Sequence, residues 1–274
     1  MQSKITGGPT TYLFTAPILS KYNVKYYRCN DTGFIQTEDP YWLKEAYSSA
    51  IVALDVGVSE RNEKMAADTQ KILLKFYRHA NNFLDFGGGY GQFVRMMRDR
   101  GFNFYLFDEY AENLYARFFS LDAEEFAKTK FDVVTAFEVF EHLPDPVATI
   151  ERLTHSSDSI LFSTELCPDQ SFKSSNDWWY FVPEIGQHVS FHTKSSLEYV
   201  GRKLGFNLYT NNENLHLLTK QRFTKDPFNY LKVFKPFEKT AKFINKLPHM
   251  LNGNKRRPSL MSADSELIKK SISH

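Results

Sequence analysis

Residues 84–93 read LDFGGGYGQF. A short apolar run, FLDF from Phe83, meets four glycines, Gly87, Gly88, Gly89 and Gly91, and an amphipathic segment starts directly behind them. Glycine lets a chain turn tightly between a strand and a helix, and lets the backbone come close to a ligand at the helix start. A dinucleotide fingerprint, G-x-G-x-x-G, counted from Gly87 and Gly89 needs glycine at position 92, which is Gln92. The pattern present is instead D-x-G-x-G-x-G, from Asp85 through Gly91. That favours a ligand without a pyrophosphate. Read alone, the glycines mark a turn and nothing more.

The flanks give the turn a context. FNFYLF, ARFFSL, FDVVTAF and SILFST read as strands; the segment around 60–79, GGGYGQFVRMMRDRG, PVATIERLTH and SSLEYVGRKLG read as helices or helix starts. DEYAENL reads as a helical start, and EAYSSAIVALDVG as helical. Strands alternating with helices of this length mean βαβ units and a mostly parallel sheet. FNLYT and LHLLTK close the pattern without a helix between them, so one of the two is expected to run antiparallel. Acids fall at three successive strand tips: Asp85, then Asp108, then Asp122 followed by Ala123. An acid at the second tip can accept hydrogen bonds from two ribose hydroxyls, and one at the third can meet an adenine amino group. The bland reading is that such acids cap helices.

In order, LDFGGGYG, LFD, LDAEEF, FDVVTAFEVFEHLPDP and ILFSTELCP resemble the motifs of the class I S-adenosylmethionine-dependent methyltransferases. The resemblance implies a Rossmann-like α/β fold with seven strands and helices on both faces. It places Asp85, Gly87, Gly89 and Gly91 beside the methionine moiety, Asp108 on the ribose, Asp122 and Ala123 at the adenine, and Phe137 and Glu138 as a wall beside the methyl donor. It runs from about residue 60 to 220, which sets off an irregular accessory region over 1–59 and an extension over 221–274. The front of the chain, KYNVKYYRCNDTGFIQTEDP, reads as short strands broken by turns at Asn30-Asp31 and Gly33. It is similar to the N-terminal region of methyltransferases associated with bacterial glycans and secondary metabolites. Those carry a second cysteine where this chain has Thr32, which argues against a zinc knuckle at Cys29.

AFEVFEHLPDP, residues 136–146, follows a strand and sets Glu138, Glu141 and His142 three and four apart. On a helical turn that spacing puts all three on one face. The motif is similar to one in small-RNA 3′-terminal 2′-O-methyltransferases and ubiquinone-type O-methyltransferases, where it binds a divalent cation. There a later histidine completes the site, and His188 stands in the matching place. The set implied is Glu138, Glu141, His142 and His188, holding Mg²⁺, Mn²⁺ or Zn²⁺ across two vicinal hydroxyls and lowering the pKa of one. The alternative without metal keeps Glu138 in the cofactor wall and makes His188 or His142 a general base, with Glu141 beside them. His192 reads as the neighbour of a helix cap.

NDWWYFVPEIGQH places Trp178, Trp179, Tyr180 and Phe181 in a loop expected over the cofactor. Aromatic faces there can stack on a sugar ring or form a lid's own core. Without interleaved basic residues they argue against a nucleic-acid ligand. The extension FNYLKVFKPFEKTAKFINKL spaces Phe228, Leu231, Phe234, Phe237, Ala241 and Ile244 helically among lysines, interrupted at Pro236. It can pack on the domain, or lie on an anionic membrane face through residues 221–257.

Bulk numbers exclude little. The chain of 274 residues has 42% hydrophobic and 24% charged residues and a net charge of +2. Residues 220–274 carry 13 Lys/Arg and 4 Asp/Glu, a local +9, which leaves about −7 for the remainder. The two cysteines, Cys29 and Cys167, support no disulfide framework. No apolar h-region and no apolar stretch of 18 residues occurs, so a cytoplasmic protein is expected. The function implied is O-methylation of a hydroxyl on a sugar, nucleotide-sugar or lipid-linked glycan, as in polysaccharide biosynthesis. C-methylation of a keto-sugar with His188 as base, and a silent methyltransferase fold serving as a partner or membrane-associated subunit, are the alternatives.

Overall fold

A computed structural model describes residues 1–47 and 57–232. The chain opens with three antiparallel strands, β1 (Thr10–Ile18), β2 (Tyr22–Cys29) and β3 (Ile35–Thr37), followed by one helical turn, α1 (Leu43–Ala46). The long helix α2 (Val58–Phe76) then enters the main domain. There β4 (Phe83–Phe86), α3 (Gln92–Asp99), β5 (Phe104–Phe107), α4 (Ala123–Lys128), β6 (Val133–Phe137), α5 (Pro146–Ser156) and β7 (Ser159–Ser163) alternate. A two-residue strand, β8 (Ser190–Phe191), α6 (Lys194–Leu204), β9 (Asn207–Thr210) and β10 (Leu215–Thr219) finish it.

The main sheet has the order β5-β4-β6-β7-β10-β9. Its first four strands are parallel, and β10 runs antiparallel to both β7 and β9. Its interior strands are buried on both faces, which is why they read as unbroken apolar runs. Phe83, Val133, Leu161 and Leu217 face α2 and α3, while Leu84, Val134, Ile160 and Leu218 face α4, α5 and α6. Helix starts are held by side chains: Asp122 caps α4 in a capping box with Glu125, Asp145 caps α5 ahead of Pro146, and Thr193 caps α6.

The structure corrects three expectations. Among the described residues the main sheet has six strands, because ARFFSL forms a 3₁₀ turn (Arg117–Phe119) and pairs with the sheet through one parallel bridge, Leu106 to Ser120. Asn113 causes this: its side chain accepts from Ala116 N (2.8 Å) and donates to Ala116 O and Ser120 Oγ (2.7 Å each), so the segment winds rather than extends. DEYAENL forms no helix, since the Asp108 carboxylate takes the N–H groups of Tyr110 and Ala111 in a tight turn. The N-terminal region is ordered as a sheet rather than irregular, and β8 from the far part of the chain joins it as a fourth strand beside β3. Phe228 and Leu231 are buried against the α2–α3 face, so the start of the extension packs on the domain, one of the two arrangements expected for it. The rest of that extension, from residue 233, and most of EAYSSAIVALDVG, residues 48–56, lie outside the described residues. Among the described residues no helix is long and apolar enough to cross a membrane.

Candidate active site

A cleft of about 1130 Å³ opens at the carboxyl ends of the parallel strands, where ligands of open α/β sheets bind. Its floor is the glycine turn after β4. Gly87, Gly89 and Gly91 have φ of 69°, 58° and 81°, in the left-handed region. A Cβ on Gly91 would lie 2.3 Å from Asn113 Oδ1, and one on Gly88 would lie 2.0 Å from Asp85 Oδ2. The backbone therefore lies directly over the Asp85 carboxylate. Asp85 is buried, accepts from Thr135 Oγ1 at 2.7 Å, and has its pKa pushed up to about 7 by burial; the Thr135 bond opposes the rise and nearby Asp108 adds to it.

Asp108, at the tip of β5, accepts from Gly89 N, Tyr110 N and Ala111 N, each at 2.8 Å. Those bonds tie the second strand tip to the glycine turn and leave carboxylate lone pairs for hydroxyl donors. Tyr47 stacks on Tyr110 at the same end of the cleft, with ring centroids 4.8 Å apart. Phe137 and Glu138 line the cleft after β6. Asp122 and Ala123 are exposed at the start of α4, where Asp122 Oδ1 caps Glu125 N, and they are not among the residues lining the cleft. Gly91 likewise starts α3 without lining it.

The Glu138–Glu141–His142 stretch is not one helical face. Glu138 takes a positive φ of 55°, and only Phe140–His142 form a 3₁₀ turn. Its N–H donates to Ser163 Oγ (2.8 Å), Ser163 Oγ donates back to Glu138 Oε1 (2.6 Å), and Arg61 Nε stands 4.0 Å from Oε2. Glu138 thus belongs with Ser163 and Arg61. The expected four-residue set shrinks to three: Glu141, His142 and His188 each bring a ligand atom within 4.8 Å of the others.

Glu141 is fully buried. Its Oε1 accepts from the Tyr180 hydroxyl at 2.7 Å, while Oε2 has no hydrogen-bond partner among the described residues. Burial pushes its pKa up to about 7, against the pull of the Tyr180 bond. His142 Nδ1 lies 3.2 Å from the Gln187 carbonyl and His188 Nδ1 lies 2.7 Å from the Tyr180 carbonyl. A carbonyl only accepts, so in both contacts Nδ1 carries the proton. The rings meet edge to face, centroids 4.9 Å apart. His192 is buried and precedes the cap of α6; burial pushes its pKa down to about 3, so it stays neutral.

The aromatic insert divides. Trp179 is 71% exposed and lines the cleft, and Tyr180 reaches it from a buried position. Trp178, expected on the substrate, instead packs among Phe172, Tyr180, Phe181 and Phe191 in the core of the small sheet. Arg61, Tyr47, Ser163, Glu165 and Gln187 also line or hold the site and were not expected. A lone serine or glutamine far along the chain gives no pattern to detect.

The model of the family described as methyltransferase domain matches residues 58–211, more than half of the chain. This chain belongs to that methyltransferase family. The match bears out the class I, S-adenosylmethionine-dependent methyltransferase read from the ordered motifs. Among curated proteins none matches the sequence. Similar solved structures include an O-methyltransferase family protein from Burkholderia thailandensis (15% identity, TM-score 0.45, covering 67% of this chain and 68% of that one). TnmH is 15% identical with a TM-score of 0.47, covering 66% and 62%. The mitomycin 7-O-methyltransferase MmcR is 14% identical with a TM-score of 0.42, covering 56% and 52%. The chain thus spans about half the length of MmcR and less than two thirds of TnmH.

Proposed function

We propose that this methyltransferase transfers the methyl group of S-adenosylmethionine to a hydroxyl oxygen of a sugar, nucleotide-sugar or lipid-linked glycan. The observation that carries this is the Glu141–His142–His188 cluster, set in the same cleft as the Gly87–Gly89 turn. The glycine turn fits the cofactor: side chains there would collide with Asp85 or Val139, and Asp108 offers acceptor capacity beside it. When bound, S-adenosylmethionine supplies an electrophilic methyl on a sulfonium. The chain's residues supply the remainder. Asp108 accepts from the ribose hydroxyls, the glycine turn seats the methionine moiety over Asp85, and Phe137 and Glu138 wall off the methyl. The cluster receives the acceptor hydroxyl and weakens its O–H bond, and Trp179, exposed at the mouth, offers its face to a sugar ring.

A second reading has one observation behind it. His188 Nδ1 donates to the Tyr180 carbonyl, which makes Nε2 the basic nitrogen of the ring, the kind of group that takes a proton from carbon next to a ketone. That makes C-methylation of a keto-sugar. The test is incubation with methyl-labelled S-adenosylmethionine and a panel of sugars, nucleotide-sugars and lipid-linked glycans, with the product carbon located by NMR. An O–CH₃ signal is expected. A C–CH₃ signal replaces the first reading with the second, and failure to bind S-adenosylhomocysteine refutes both.

A further inference from the structure

Tyr47 reaches the cleft from outside the matched domain, which begins at residue 58. Its place is set by bonds between the N-terminal region and the strap 183–191. Tyr47 N donates to Leu43 O at 2.9 Å within α1, Ala46 O accepts from Gln187 Nε2 at 2.8 Å, and Trp42 Nε1 donates to Gly186 O at 2.8 Å. Leu19 N to Pro183 O and Thr37 N to Val189 O hold the strap to the small sheet, and Val189 N bonds Glu141 O on its other side. The last turn before Tyr47 is therefore anchored.

The ring that Tyr47 meets, Tyr110, comes from the opposite wall. Tyr110 N donates to Asp108 Oδ1 at 2.8 Å. Further along the same loop, Leu114 N and Tyr115 N both donate to Tyr90 O at 3.0 Å. The loop after β5 is thus bonded to the acid at the strand tip and to the glycine turn, the two features that suit the cofactor. Its tyrosines are nevertheless open: Tyr110 is 68% and Tyr115 is 56% exposed, and both line the cleft. Tyr47 lays its ring on Tyr110, with planes 19° from parallel. That is offset-stacking geometry, and it leaves no room for a third ring between them, so the two rings meet a ligand as one unit. On its other flank Tyr47 stands edge-on to His142, centroids 6.3 Å apart. Burial raises the pKa of the Tyr47 hydroxyl, with Tyr110, Glu141 and Asp108 adding to the rise, so the phenol keeps its proton.

We propose that Tyr47 and Tyr110 form an aromatic wall against the nucleoside half of S-adenosylmethionine, so that the N-terminal region supplies part of the cofactor site. Aromatic faces hold a base by stacking, whatever hydrogen bonds its edge makes. The pair stands beside Asp108, where ribose hydroxyls are accepted, whereas Asp122 and Ala123 do not line the cleft. The cleft therefore offers the nucleoside aromatic surface in place of the expected acid. The inference rests on Asp108 and the glycine turn as the cofactor seat, and it is independent of the acceptor.

The test is calorimetric titration of S-adenosylhomocysteine, and separately of methylthioadenosine, into the full chain and its variants. Methylthioadenosine keeps the nucleoside and lacks the amino-acid half. Tyr47→Ala and Tyr110→Ala are each expected to weaken both ligands by roughly 10-fold. Tyr47→Phe, which keeps the ring, is expected to stay within about twofold of the wild type. The double alanine variant is expected to lose little more than either single one, because contacting residues that act as a unit are not additive. Thermal unfolding without ligand checks that Tyr47→Ala is folded, and Tyr110→Ala, at an exposed position on another element, reports on the same wall independently. Unchanged affinity in both single variants overturns the inference. A loss for S-adenosylhomocysteine that methylthioadenosine does not share overturns it too, since the contact then lies on the amino-acid half, and so do losses that add in the double variant. Wild-type protein that takes neither ligand refutes the cofactor reading of the cleft, and this inference with it.

Discussion

Asp85→Asn isolates what the glycine turn costs the fold. Asp85 is buried under Gly88, bonded to Thr135 Oγ1, and its pKa is pushed up to about 7 from an ordinary 3.8 by burial. The folded state therefore holds a proton that the unfolded chain has already lost, so stability falls as pH rises between 3.8 and about 7 and is flat beyond. From pH 5 to pH 8 the folded group gives up its proton over about two units. At roughly 1.4 kcal/mol per unit, that removes about 2–3 kcal/mol of wild-type stability. Asparagine keeps the acceptor for Thr135 and cannot ionise. Its amide toward Gly88 adds a buried donor costing about 1–3 kcal/mol, but that cost does not depend on pH. Urea unfolding of both proteins, without cofactor, at pH 5 and pH 8 gives the difference of differences. Other buried groups, Glu141 included, titrate in both proteins and cancel. The variant is expected to lose about 2–3 kcal/mol less than the wild type across this interval. Parallel pH dependences would refute the claim that a buried, proton-bearing carboxylate lies beneath the turn.

Two further outcomes follow from the packing. Trp178→Ala, which empties a site in the small sheet's core, is expected to cost about 3–5 kcal/mol in denaturant unfolding, whereas Trp179→Ala, at a 71% exposed position, changes stability by less than about 0.5 kcal/mol and raises the KM for the acceptor. Phe228→Ala is expected to destabilise the main domain by about 3–5 kcal/mol, because that ring is buried on the α2–α3 face; a change near zero would mean that the segment after β10 does not belong to this core.

Most of the main domain was legible because its strands are buried on both faces and its helices carry cap signals. FLDF, FDVVTAF and SILFST are short apolar runs bounded by polar residues or glycine, and Asp122, Asp145 and Thr193 each precede a helix and cap it. ARFFSL carries the same apolar signal. It failed as a strand because a side chain three residues upstream of Ala116, Asn113, binds the backbone on both sides and closes a turn. No count of apolar residues contains that competition. The N-terminal sheet was partly visible as broken strands. Its fourth strand, Ser190–Phe191, is only two residues long and lies about 150 positions from its partner β3, so periodicity could not find it.

The site shows the same division between local pattern and long-range assembly. The motif EVFEH brings Glu141 and His142 together with His188, while Glu138 turns away to Ser163, an arrangement its spacing does not reveal. A positive φ at a non-glycine residue costs of order 1–3 kcal/mol and persists only where the surroundings impose it. Here the reciprocal bonds with Ser163 impose it, holding Glu138 at the cofactor wall and turning the next residues the other way. That reversal lets Glu141 point inward beneath Tyr180, and the strap brings His188 against His142 from 46 residues away. The strap is fixed by the N-terminal sheet on one side and the Glu141 turn on the other, so the small sheet acts as the support that sets the cluster's geometry. A methyl transfer depends on alignment between acceptor oxygen and donor carbon within a fraction of an ångström. In the proposed reaction the glycine turn after β4 would fix one partner and the strap the other, which would give the N-terminal 47 residues a part in the alignment through the bonds they make to the strap.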